Sequence, residues 1–190
     1  MFNKKAHALL AVLLCVSLFA TGCSSDWISV ALDDLPVLTE MALNIGTLAT
    51  TLESGKQLSA TETAEIQNIS TQASKDLNLL QALYNEYKQN PNAGTLQKIQ
   101  NAITDINRNL PALLQAVHVS NAALSARVSA AVNLILVTVN SFALLIPGTS
   151  GQGNLKEANL PHPADLKKQW NHQICGATEV SINAACTLQR

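Results

Sequence analysis

Charge is scarce in this chain. Of 190 residues, 12 are Lys or Arg and 13 are Asp or Glu, so only 13% are charged and the polar positions fall to Ser, Thr, Asn and Gln. No lysine or arginine run builds the basic field that a nucleic acid requires, so nucleic acid is not expected as a partner. Such low charge density is unusual for a freely soluble helical protein and fits one confined in an envelope, or covered in part by partners or lipid. Aromatic residues are as thin, at 4%. Beyond residue 22 they are Trp27, Tyr84, Tyr87, Phe142 and Trp170, too few for a platform that stacks bases or sugars, and Tyr84 and Tyr87 fit a core.

The motifs of catalysis are missing too. No Gly-x-Ser-x-Gly elbow orders a nucleophile among the many serines, although Asp165 and His162 lie near several of them. Gly148-Thr149-Ser150-Gly151-Gln152-Gly153 lacks the lysine and following helix of a phosphate loop and reads as a linker. His172 and Cys175 are three apart and share a helical face, but two ligands are not a zinc site. No catalytic residue, metal or cofactor is therefore expected. An enzyme would have to draw on His162 or His172 with a carboxylate.

What is present begins with residues 1 to 23. Asn3-Lys4-Lys5 is positively charged, and Ala8 to Ala20 is an apolar run too short for a comfortable membrane span. Ala20-Thr21-Gly22-Cys23 follows, with small residues that let a peptidase approach the backbone. This segment resembles the signal of bacterial lipoproteins, with Ala20 where the family more often has Leu. The resemblance covers the export segment alone. It implies cleavage between Gly22 and Cys23, a diacylglycerol thioether on the Cys23 sulfur, and an acyl chain such as palmitate on the freed amine. Ala20-Thr21-Gly22 also suits an ordinary secretory peptidase, which would release a soluble protein. One myristoyl chain binds a bilayer only marginally at roughly 0.8 kcal/mol per buried methylene, whereas two or three chains anchor stably. By the sorting pattern of such lipoproteins, Ser24 favours the outer membrane, facing the periplasm.

Removal of residues 1–22 leaves 168, enough for one domain with a real core, and takes Lys4 and Lys5 away, so ten basic residues face 13 acidic ones. Cys15 leaves with the signal and Cys23 is lipidated. Cys175 and Cys186 remain as a pair in an oxidising compartment, and a disulfide between them closes a 12-residue loop. Chain entropy puts its contribution at roughly 3 kcal/mol.

Hydrophobic spacing predicts an all-α fold, an up-down-up-down four-helix bundle over residues 35–146. Residues 23–34 form the lipidated terminus and tether, and 147–190 form a linker and a disulfide-closed tail with a short helix from Ala164 to Ile174. Trp27 fits either the headgroup level of a bilayer or the first layer of the core. Asp33 or Asp34 is expected to cap helix one, with Pro36 in its first turn and a seam Leu35, Leu38, Ala42, Ile45, Ala49, Leu52 ending near Glu53. Ser59-Ala60-Thr61-Glu62 has the spacing of a capping box for helix two, whose seam is Ile66, Ile69, Ala73, Leu77, Leu80, Tyr84, Tyr87. Helix three carries Leu96, Ile99, Ile103, Ile106, Leu110, Leu113 and Val117, a phase that survives Pro111 and predicts one kinked helix.

Helix four, Ala122 to Ile146, carries two seams. Leu124, Val128, Ala131, Ile135, Thr138, Phe142 and Leu145 make the first; Val132, Leu136, Val139, Ala143 and Ile146 make the second. So wide an apolar circumference needs a second cover: the C-terminal segment with Trp170, a homodimer or envelope partner, or lipid. Leu136, Val139, Ala143 and Ile146 are therefore the expected interface, and a bilayer span for this helix is the lesser expectation. The function expected first is a membrane-anchored, non-catalytic scaffold or interaction module, then a carrier of a lipid or other apolar ligand, and last an enzyme.

Overall fold

The computed structural model describes residues 26–49, 58–146 and 161–175, and these are helical throughout their length apart from short turns. Five helices follow in order: α1 Asp26–Leu48, α2 Ala60–Gln89, α3 Ala93–Ala116, α4 Ala122–Leu145 and α5 Pro163–Gln173. Helices α1 to α4 pack as a closed ring, each against its two sequence or cyclic neighbours, and α5 lies on the outside against α1 and α4.

The seams fill the ring. Leu35, Leu38, Ala42 and Ile45 of α1, Ile66, Ile69, Ala73, Leu77 and Leu80 of α2, and Ile99, Ile106 and Leu110 of α3 are all but inaccessible to solvent. Helix α3 is continuous across Pro111, as the unbroken apolar phase predicts. Its proline removes only the amide that would otherwise reach the Asn107 carbonyl. Leu52 and Glu53 lie outside the described residues, as do Cys23, Cys186 and the linker.

Helix α1 departs from expectation. It begins at Asp26, with Pro36 in its interior and Asp33 and Asp34 as helical residues rather than caps. The physical reason is that Ile28 and Ala31 continue the seam backwards in 3/4 spacing and are both buried. Burying a large apolar side chain is worth about 1.5–3 kcal/mol, so Ile28, Ala31 and the half-buried Trp27 together offset the roughly 3 kcal/mol an interior proline costs.

Two contacts fix how tightly α1 meets α2. The Ser70 hydroxyl donates to the Leu43 carbonyl at 3.3 Å, and a Cβ placed on Gly46 would sit 3.1 Å from the Ser70 Oγ. Glycine at 46 and small residues at 70, 73 and 74 let the two backbones approach closely.

Side-chain caps close the starts of α2, α3 and α4. The Ser59 hydroxyl accepts from the Glu62 amide while the Glu62 carboxylate accepts from the Ser59 amide, completing the capping box. Asn92 caps α3 and Asn121 caps α4 with their side-chain oxygens.

Candidate functional site

Three places in the ring carry polar or aromatic side chains with more to do than fill space. The first is the end where α1 begins and α4 finishes. Trp27 packs edge-on to Tyr84 with ring centroids 5.7 Å apart and lies tilted on Tyr87 at 6.0 Å. Tyr84 in turn meets Phe142 edge-on at 6.4 Å. Helices α1, α2 and α4 are thus tied by a run of rings within one turn or so of residue 26. Trp27 belongs to this cluster and is half-buried in it. The Tyr84 hydroxyl is buried with no hydrogen-bond partner, and burial pushes its phenol well above the ordinary range.

The opposite end is organised by one carboxylate. Glu62 accepts from the Ser59 amide at 2.8 Å, the Ser59 hydroxyl at 2.8 Å and the Ser120 amide at 2.6 Å. Its neighbour Glu65 accepts from the His118 amide at 3.2 Å. One turn of α2 therefore caps its own start and also holds the loop between α3 and α4. Donors from Ser120 first, and then from Ser59, push the Glu62 carboxyl down to about 2. Sequence spacing reveals the capping box, but the bond to Ser120 spans 58 residues and leaves no local signal.

The third place is the groove between α1 and α4 under α5. Because Gly46 and the Leu43 carbonyl meet α2, helical phase puts Asp34, Val37 and Met41 on the other flank of α1, and α4 and α5 are the remaining helices that pack on α1. On α4, Asn140 accepts from the Asn107 side chain of α3 at 2.7 Å. Leu136 and Ala143, one turn to either side of Asn140, share the flank that lies beside α3. The opposite flank, with the buried Leu134 and Thr138, faces α1 and α5. Helix α5 enters this groove with Leu166, Trp170 and Ile174, at i, i+4 and i+8, and all three are fully buried.

Asp34 lies in the same groove, fully buried, with neither carboxylate oxygen hydrogen-bonded. The charges bearing on it are those of Asp33, on its own helix, and Asp165 of α5. Burial first, then Asp33 and Asp165, push its carboxyl up to about 7. A fully buried acid without a donor is the least expected polar feature of the fold, because burying an unpaired charge is so unfavourable that the group neutralises instead. The sequence places Asp33-Asp34 at a helix start, and only the upstream extension of α1 moves Asp34 into the core.

Of the residues expected to form an interface, Val139 and Ile146 are buried, while Leu136 and Ala143 sit at the core's edge. The apolar side chains that α4 exposes are Val137 and Leu144. Helix α4 is long and apolar enough to cross a membrane, yet here it is one wall of the ring. His118, His162 and His172 are exposed. Cys175, at the end of α5, packs partly buried against the core. Among the described residues no three His, Cys, Asp or Glu side chains converge as a metal site would need. Compared with protein-family models, curated proteins and solved structures, the chain matches none.

Proposed function

We propose that this protein is a lipid-anchored component of a bacterial cell envelope, exported and held through Cys23, probing its surroundings with a non-catalytic helical bundle. The observation that carries the reading is the adjacency of the lipobox-like Ala20-Thr21-Gly22-Cys23 to α1, whose first residue is Asp26. The chain from Cys23 through Ser24 and Ser25 to Asp26 spans at most about 11 Å, so acyl chains on Cys23 would hold the end bearing Trp27, Tyr84 and Tyr87 against the bilayer. That membrane is, in this reading, the outer membrane, and the bundle faces the periplasm.

The bundle's outward surface suits the role of an interaction module. Along α2, Gln67, Asn68, Thr71, Asn78 and Asn85 are exposed, giving a largely polar face in which Lys75 is the charged member, so its hydrogen bonds depend little on salt. The partner is an envelope protein or a second copy of the chain. In the same reading Cys175 pairs with Cys186, fastening the segment after α5. Growth with a palmitate analogue tests the anchor: label should follow the protein and vanish in Cys23→Ala. A protein that is secreted unlabelled with Cys23 intact would sink it. Native mass spectrometry of the purified chain separates the scaffold from the carrier of an apolar ligand, since only a carrier brings along a lipid-sized mass that denaturation removes. The same spectrum, two hydrogens below the reduced mass, reports the disulfide.

A further inference from the structure

We infer that α5 is a proton-released cover, docked over the α1–α4 groove while Asp34 is protonated and loosened when Asp34 ionises. The inference is independent of the anchor on Cys23.

Its first support is topological. Helices α1 to α4 close a ring through their own contacts, and among the described residues α5 packs mainly on α1 and α4 from outside. It is the shortest helix described, at 11 residues, and it can leave without opening the ring. Its own underside is apolar: Leu166, Trp170 and Ile174 are fully buried, and the helices it packs on are α1 and α4. Elements that attach by one face are the ones that open locally below the global unfolding free energy.

The second support is the chemistry placed under the cover. Asp34 is fully inaccessible to solvent, and neither oxygen has a hydrogen-bond donor. The groups around it offer no countercharge. Besides Asp34, helix α1 carries Asp26, Asp33 and Glu40 and no basic residue; α4 carries only Arg127, near its far start; and α2, with Lys75 and Lys88 among its charges, packs on the opposite flank of α1. On α5, Asp165 adds like charge, and Lys167, Lys168 and His172 give Asp34 no hydrogen bond. An ionised Asp34 is therefore unfavourable in the docked arrangement and acceptable once water reaches it.

The sign of the linkage follows. With α5 docked the carboxyl is raised to about 7, and in water it returns toward 3.8. Docking is thus strongest below about pH 4, weakens by at most tenfold per pH unit as pH rises, and levels off above about pH 7. The full change is bounded by about a thousandfold, the difference between those two values.

Hydrogen exchange on the full chain, corrected for intrinsic rates and measured from pH 4.5 to 8, reads this directly. Amides of residues 163–173 should lose protection as pH rises while those of α2 keep theirs, and Asp34→Asn should hold α5 protected at every pH. Equal protection of α5 at pH 5 and pH 8 in the wild type overturns the inference, as does an unchanged pH response in Asp34→Asn. Asp165→Asn guards against a folding defect at position 34: by removing the like charge on α5 it lowers the docked carboxyl's value, so the loss of protection should end at a lower pH and be smaller than in the wild type, and an unchanged size of loss counts against the cover.

Discussion

Two carboxylates removed from solvent, Glu62 and Asp34, meet opposite fates in one bundle. Glu62 collects donors from Ser59 and Ser120 and is held ionised, pushed down to about 2. Asp34 collects none, faces Asp33 and Asp165, and is pushed up to about 7. Burial weighs most on Asp34 and least on Glu62, and only Glu62 has donors to hold its charge. The end around Glu62 is built to stay closed, whereas the groove around Asp34 is built to feel a proton.

The contrast is open to disruption, and the largest effect is expected from removing the cover. Trp170→Ala takes a fully buried indole out of the groove. It should destabilise the docked fold by about 3 kcal/mol in urea denaturation and return Asp34 toward ordinary acidity, which a pH titration of the variant followed by carboxyl NMR would detect. Smaller and opposite in sign is Asp34→Asn. At pH 8 it should stabilise the protein by roughly 2 kcal/mol, less than the whole shift implies because loosening of α5 relieves part of the penalty, and at pH 4 it should change little. A variant less stable than wild type at pH 8 would mean that the carboxylate has a partner after all.

The pH profile of the unaltered protein joins the two acids. Glu62 is depressed in the fold, so its stabilisation is complete above its unfolded value of 4.5 and lost as pH falls toward 2. Asp34 is raised, so its penalty is absent below 3.8 and grows until about pH 7. These two groups together predict greatest thermal stability near pH 4 to 5, an acid-shifted optimum. Glu62→Gln should flatten the acid limb and lower Tm by several degrees at pH 6, leaving the limb from pH 5 to 7 in place. Gly46→Val probes neither acid and serves as a control for close packing: with the Ser70 Oγ 3.1 Å from the new Cβ, it should cost about 1–3 kcal/mol at every pH. The smallest effect belongs to Arg108→Ala, which breaks an exposed pair with Asp105 at 2.7 Å and should change stability by less than about 0.5 kcal/mol.

Much of this fold is written locally. The 3/4 spacing of Ile66 to Tyr84 and of Ile99 to Leu110 identifies the buried faces of α2 and α3, because a helix repeats its direction every 3.6 residues whatever surrounds it. The caps at Ser59 and Asn121 are equally legible, since each satisfies amides within three residues of itself. Where local rules compete, the sequence misleads. Asp33-Asp34 before Leu35-Pro36 has the chemistry of a helix start, yet Ile28 and Ala31 carry the same seam upstream, and burial of that seam decides the matter.

The sequence by itself determined that the chain is helical, where most of the described helices begin and which of their faces are apolar, all properties of residues within a few positions of each other. Only the tertiary structure decided which neighbour covers each face. It set α3 beside the Asn140 flank of α4 and α5 against α1 and α4. It also gave Glu62 its distant donor and denied Asp34 any, because a carboxyl's acidity depends on groups that arrive from elsewhere in the chain.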